Sequence, residues 1–370
     1  MSVQLGELCN INEGVHTGNL RDKLLVETKV DDKSYPAYTG ENFGRYESLW
    51  GGKFIRYDWS IIKNEPNGYG SLREEKIFTA PEKIICREIH TRISCTYDNE
   101  QKYFLNHLYS ITPKIRFQEG LLYITSLLNS KTLSFFFDSM FMHAHISGGY
   151  RQYKAFYLDR LPIRRISFTT PPDRRAALAE QAKALYSEFV GAPDRSDPAF
   201  KCEDSLLDFV DERLSAAPEE SDVVHDLLAH LAERMIEMNK EKNTEIKGFL
   251  RWLEGEIGAP VEELTNKTAL KEYYDYKYDF ETFVKVLAKN KKKLKEGYDP
   301  TRREPKDKLE KEYNASLNKL TPLLKRIEAT DGLIDLIVYK LYGLTEDEIR
   351  IVEESISGNK DLNTKEDSKL

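Results

Sequence analysis

Residues Leu121 to Arg165 read LLYITSLLNSKTLSFFFDSMFMHAHISGGYRQYKAFYLDRLPIRR, and the kind of fold turns on this stretch. Leu121, Ile124, Leu127 and Leu128 recur at helical spacing, and Leu133, Phe136, Phe137 and Met140 continue an apolar face on a second helix. Asn129 tolerates the left-handed backbone that ends helices, and Ser130 offers an oxygen to the free N–H groups of the next one. An apolar face this continuous is core rather than a cofactor box. Gly148-Gly149 then releases the chain into Tyr150, Arg151, Gln152, Tyr153 and Lys154, and Leu161-Pro162-Ile163 closes the segment. The expectation is a helical hairpin that serves as scaffold for a polar, basic, aromatic tip.

Charge is uneven around this stretch. Ile84 to Arg165 holds 11 basic residues against 6 acidic, and Met1 to Thr170 holds 22 against 19. The chain as a whole carries −7, so residues 171–370 hold 33 basic against 43 acidic, a net of −10. A basic, aromatic first half joined to an acidic second half points to a nucleic-acid face in the first. A length of 370 residues allows two domains, or one with a helical extension. No apolar run approaches a membrane span, and no charged-then-apolar leader pattern follows Met1. Cys9, Cys86, Cys95 and Cys202 form no C-x-x-C pair, which argues against a zinc site or disulfide framework and fits a reducing cytoplasm.

Upstream, Glu13-Gly14-Val15-His16-Thr17-Gly18-Asn19 reads first as an ordinary loop, with the alternative that its glycines let backbone amides approach a phosphate, and Tyr38-Thr39-Gly40-Glu41-Asn42 repeats its flavour. Lys83 to Ile89 reads as a strand, Thr91 to Tyr97 as its partner and Leu105 to Ile111 as a third. Downstream of Pro171-Pro172 the pattern is almost entirely helical. Gly191 to Pro198 is a linker. From Ser221 to Ile257 an apolar stripe steps through Val224, Leu228, Leu231, Met235 and Met238, then Ile246, Phe249, Leu253 and Ile257. Gly297 to Lys308 reads as a charged linker, and Thr345 to Glu348 as a capping box. The fold class expected is α+β: a mixed α/β domain over 1–170, a helical connector over 171–220, a long, coiled-coil-like helical region over 221–297, a C-terminal helical unit over 298–354 and a disordered tail over 355–370.

Several chemistries find no residues. Thr170-Pro171-Pro172-Asp173 lacks the amide before and the ring after that a base-methylating loop requires. Gly68-Tyr69-Gly70 follows Glu65-Pro66-Asn67 rather than an apolar strand, so it is not a nucleotide turn. No carboxylate and lysine set suits a metal-dependent nuclease, His143 with His145 lacks further ligands nearby, and His225 and His230 are five apart and not on one helix face. The chain by itself is expected to be non-catalytic, with no cofactor or metal of its own.

Contact with double-stranded DNA is the positive expectation. In the major groove Arg151 would pair guanine and Gln152 adenine, while Lys154 and Arg160 would meet phosphates. Tyr150 at the tip, Arg87, His90 and Arg92 on the hairpin, Lys102, Asn106 and His107 after it, and Thr17 and Asn19 in the first loop complete the candidate set.

In this order the residues resemble the TaqI-like target-recognition domain that type IIG restriction–methylation enzymes and related adenine methyltransferases carry C-terminally. The resemblance rests on Glu13 to Asn19, Tyr38-Thr39-Gly40, Pro81 to Arg87, Leu127 to Lys131 and the Gly149 to Ile163 segment. Phe249 to Glu254, Asp331 to Asp335 and Val338 to Thr345 resemble the helical tail of such enzymes. It implies DNA sequence recognition within restriction–modification and phage defence. The chemistry would lie in a methyltransferase domain or subunit, with S-adenosylmethionine and magnesium held there. The upstream methyltransferase is missing, so the chain is either a separate specificity subunit or a piece of a longer one. A scaffold subunit that docks a partner through the long helix is the competing expectation.

Overall fold

The computed structural model describes residues 1–41, 43–115, 117–191 and 202–366, with side chains described outside 202–204 and 357–366. Asn42 and most of the expected 191–198 linker lie outside the described residues. The chain opens with β1 (Ser2–Gln4), α1 (Leu5–Leu8) and β2 (Cys9–Glu13). There follow α2 (Arg21–Leu24), β3 (Leu25–Val26), β4 (Ser34–Tyr38), the pair β5 (Phe43–Gly44) and β6 (Glu47–Ser48), β7 (Phe54–Arg56), α3 (Trp59–Lys63) and α4 (Lys76–Thr79). The expected strands come next as β8 (Lys83–Arg87), β9 (Ile89–His90) and β10 (Cys95–Asp98), with β11 (Tyr103–Phe104) and β12 (Leu108–Pro113) after them. Two four-stranded sheets result, in the orders β10-β8-β12-β2 and β11-β4-β7-β3. The first is antiparallel throughout, with Cys95 opposite Cys86 and Ile111 opposite both Ile84 and Ile11. Ile84, Ile85 and Cys86 are all fully buried, which is why that strand reads as an unbroken apolar run.

The hairpin forms as α5 (Leu121–Asn129) and α6 (Lys131–Met140), with Ser130 Oγ accepting from the Leu133 N–H at 3.3 Å. Asn129 does more than end a helix. Its Oδ1 accepts from the Cys95 N–H at 2.8 Å and its Nδ2 donates to the Cys95 carbonyl at 2.9 Å. The side-chain amide, with the Tyr46 N–H that donates to the same carbonyl at 2.8 Å, thus covers the edge of strand β10. Met140, expected in the core, is exposed at the far end of α6. Beyond it come β13 (Arg151–Gln152), α7 (Ala155–Leu158) and β14 (Pro162–Arg164), and the last pairs back with β1.

Helices α8 (Pro172–Gly191), α9 (Cys202–Leu214), α10 (Ser221–Ile257), α11 (Lys267–Lys271), α12 (Phe280–Lys289), α13 (Arg303–Tyr342) and α14 (Glu346–Glu366) make up the rest. The chain is therefore α+β, sheet-rich first and helical after. Two corrections apply to the tail. α13 begins inside the expected 297–308 linker, and α14 runs through Glu366 into the stretch expected to be disordered. The Thr345 capping box is present, with Glu348 Oε2 accepting from the Thr345 N–H at 2.8 Å.

By contacts the chain divides into one unit of Met1–Ile236 with Thr330–Leu370 and a second of Glu237–Ala329. In the second, Phe249, Leu253 and Ile257 of α10 pack with Phe283, Leu287, Tyr313 and Leu320. Val224, Leu228, Leu231 and Met235 of the same stripe are buried in the first. Within that first unit the α5–α6 junction is tied to the C-terminal helices by charge. Arg45 bonds both carboxylate oxygens of Asp331 at 2.7 and 2.5 Å and also donates to the Asn129 carbonyl at 2.7 Å. The Lys131 N–H donates to Asp335 at 2.7 Å, and its ammonium reaches Glu353 at 2.7 Å. The 330–366 segment is thus built into the unit that holds both sheets.

Candidate nucleic-acid interface

Antiparallel pairing of β9 with β13 brings Ile89 opposite Gln152 and His90 opposite Arg151. Two segments 60 residues apart in sequence thereby share one short ribbon. Glu88 anchors it. Its N–H donates to the His107 carbonyl at 2.9 Å, and its carbonyl accepts from Tyr153 N–H at 2.6 Å. Its Oε1 accepts from Gln152 Nε2 at 2.9 Å, while Oε2 lies 3.9 Å from His107 Nδ1. Among the described residues the Gln152 side-chain oxygen takes no hydrogen bond, and His107 is exposed. Glu88 was not expected in the site. Its position between a strand and an exposed hairpin carries no sequence signal of that role.

Arg151 is placed differently from expectation. It is 3% exposed, and its Nε and Nη2 bond the two oxygens of Asp138 at 2.9 and 2.8 Å. Nη1 donates to the Gly149 carbonyl, and His145 Nε2 lies 3.4 Å from the same Asp138. A guanidinium with all its faces engaged holds the tip's shape and has no fork left for guanine. What the tip exposes is instead Met142, His143, Ile146, Tyr150, Lys154, Phe156 and Arg160. His143 and Phe156 both border the Tyr157 ring, at centroid distances of 5.3 and 5.5 Å, so the 3₁₀ turn at 142–144 and α7 lie side by side.

The remaining candidates do not join this face in the expected way. Thr17 is buried, and the Asn19 amide clamps the 67–69 loop through Asn67 O at 3.0 Å and Tyr69 N at 2.9 Å. The first loop's glycines face protein, not phosphate. A Cβ at Gly14 would strike the Phe104 and Leu105 carbonyls, and one at Gly18 the Tyr69 carbonyl. Arg87 donates to Phe43 O at 3.1 Å and Arg92 to Asn129 O at 3.2 Å, both bracing the interior. His90 Nδ1 meets Ser94 Oγ at 3.0 Å, and burial with the Arg87 charge pushes its imidazole down to about 4. Lys102 pairs with Glu100, and Asn106 binds Val15 through its backbone.

Several cations elsewhere in the first unit are neutralised, although among the described residues exposed Arg21 and Lys63 form no ion pair. Lys23, Lys33, Lys53, Arg56 and Arg73 are each paired with a carboxylate. Among the described residues Lys154 and Arg160 form no ion pair, and Arg160 lies over the Phe156 ring at 4.1 Å.

Residues 35–163, from β4 through the tip to β14, match the family model of the TaqI-like C-terminal specificity domain. This segment is a TaqI-like specificity domain. It is a recognition unit rather than a catalytic one, and both sheets, the α5–α6 hairpin and the tip contribute to it. The Glu13–Asn19 loop falls outside the match. Residues 221–338 match a second family model, described as a domain of unknown function (DUF8810), which takes in Phe249 to Glu254 and Asp331 to Asp335. No curated protein matches the chain. Among the described residues no helix is long and apolar enough to cross a membrane, and no cluster of three His, Cys, Asp or Glu is placed to hold a metal ion.

Proposed function

We propose that this chain is the sequence-specific DNA recognition module of a restriction–modification system and directs an adenine methyltransferase, held by another domain or chain, to its site. The observation that carries this reading is the exposed face of the specificity domain, where Gln152 bonds Glu88 beside exposed His107 while Lys154 and Arg160 of the same segment form no ion pair. Lys154 and Arg160 meet phosphates and set register. Gln152 offers its amide to adenine, and Glu88 accepts from a base amine. S-adenosylmethionine, and magnesium where a nuclease accompanies methylation, belong to the partner. The scaffold alternative draws less support, since most of the apolar stripe of α10 packs within the chain.

Selection of bound duplexes from a random pool, followed by titration over a salt series, tests the proposal. The chain should enrich one short sequence, and affinity should fall steeply with salt. Replacing Lys154 and Arg160 by Ala should flatten the slope of log K against log salt by about 0.9 for each phosphate released, with site preference unchanged. Equal affinity for every sequence at every salt concentration would overturn it.

A further inference from the structure

Of the 14 large apolar side chains exposed among the described residues, five fall between 140 and 156: Met140, Met142, Ile146, Tyr150 and Phe156. Such clustering is not what chance exposure produces, since a patch of this kind marks a surface that something covers. Met142 is 76% exposed and Phe156 59%, the latter even with a guanidinium on one of its faces. Rigid parts hold them. Phe137, Phe141, Tyr153 and Tyr157 form a packed aromatic cluster beneath, with the Phe137–Tyr153 and Phe141–Tyr157 centroids 4.4 and 4.8 Å apart. The Arg151–Asp138 pair fixes the loop that carries Ile146 and Tyr150.

Charge selects the occupant. The two cations at this tip are unpaired, and the Asp159 carboxylate between them in sequence lies against Gly6 instead. A polyanion is therefore favoured over an acidic or neutral protein face. Methionine, isoleucine and phenylalanine are also the side chains that enter DNA between base steps, where unstacking is repaid by wider contact.

We propose that the tip acts as a wedge: Met142 and Phe156 enter the duplex beside the Gln152 ribbon and unstack one step, so the recognised site includes a deformable pyrimidine–purine step there. This rests on the DNA-recognition reading. It adds that part of the specificity comes from how easily the site deforms rather than from hydrogen bonds to base edges.

The test uses the full chain and a duplex selected from the random pool, with 2-aminopurine placed at successive positions. Binding should raise fluorescence severalfold at one pyrimidine–purine step and leave the others unchanged. Met142→Ala with Phe156→Ala should abolish most of that rise at saturating protein and weaken binding about tenfold, the scale of one lost stacking contact. Lys154→Ala should weaken binding yet keep the full rise at saturation, which separates a phosphate contact from a wedge. Sequence-preferring binding with no rise at any position would overturn the wedge and leave the recognition reading standing. A rise untouched by the double substitution would also overturn it, and so would loss only of methyltransferase capture, the mark of a protein-docking patch. Absence of sequence preference would remove both the recognition reading and the wedge.

Discussion

Replacing Arg151 distinguishes a residue that reads DNA from one that shapes the reader. Arg151 is 3% exposed and Asp138 is 12% exposed at its side chain, and two parallel bonds of 2.9 and 2.8 Å join them. Removing one member of so buried a pair leaves the other charge uncompensated, at a cost of about 3–5 kcal/mol. Arg151→Ala should therefore lower stability by about that amount wherever unfolding includes the tip. The sign is set by the orphaned carboxylate, which keeps only His145 at 3.4 Å. Arg151→Lys should rescue little, because a point charge cannot reproduce the planar fork. Asp138→Asn should behave alike, and the double variant should be far from additive. Urea denaturation supplies the stabilities, amide exchange over 141–158 shows where order is lost, and the random-pool profile reads specificity. DNA affinity should drop for all sequences together, with the preferred sequence unchanged. A variant that stays within 1 kcal/mol of the parent in stability yet loses about 1–3 kcal/mol of discrimination at a single base pair would refute the reasoning, since that is how a guanine-reading arginine behaves.

Asn129→Leu should destabilise the specificity domain by about 2–4 kcal/mol in urea denaturation, because it removes two bonds and orphans the buried Cys95 N–H. A loss below 1 kcal/mol would show that another acceptor or water takes over the Cys95 N–H. Arg45→Met should cost about 3 kcal/mol by the same assay, since Asp331 is only 22% exposed and the guanidinium also serves the Asn129 carbonyl. His90 gives a pH signature. Its imidazole sits near 4 in the folded chain against 6.5 when free, so between those values the unfolded chain takes up a proton that the folded one refuses. Stability should thus fall as pH drops from about 6.5 towards 4, and His90→Asn should remove that part of the slope in denaturation midpoints measured across the range.

The helical hairpin, the strand at Lys83, the stripe of α10 and the Thr345 capping box were legible because each is a local periodicity or a local hydrogen-bond habit. Asn129 and Ser130 were legible as helix ends, yet nothing local told that the Asn129 amide would complete a sheet edge 34 residues away. The first loop shows the opposite case, where contacts favour the ordinary-loop reading over the phosphate cradle. Gly14 and Gly18 look like a phosphate cradle in one dimension, but the backbone that approaches them is Phe104, Leu105 and Tyr69 of the same chain.

By itself the sequence determined the α+β class, the α5–α6 hairpin and the strand at Lys83, since hydrophobic period and turn chemistry act over a few residues. Which tip residues remain available was decided only by tertiary structure. Pairing of β9 with β13, and the placement of Asp138 one helix away, turned Arg151 inward and left Lys154, Phe156, Arg160 and Met142 outward. Composition cannot separate two arginines nine residues apart. A carboxylate within reach of one and not the other can, because a buried guanidinium persists only where its charge is met.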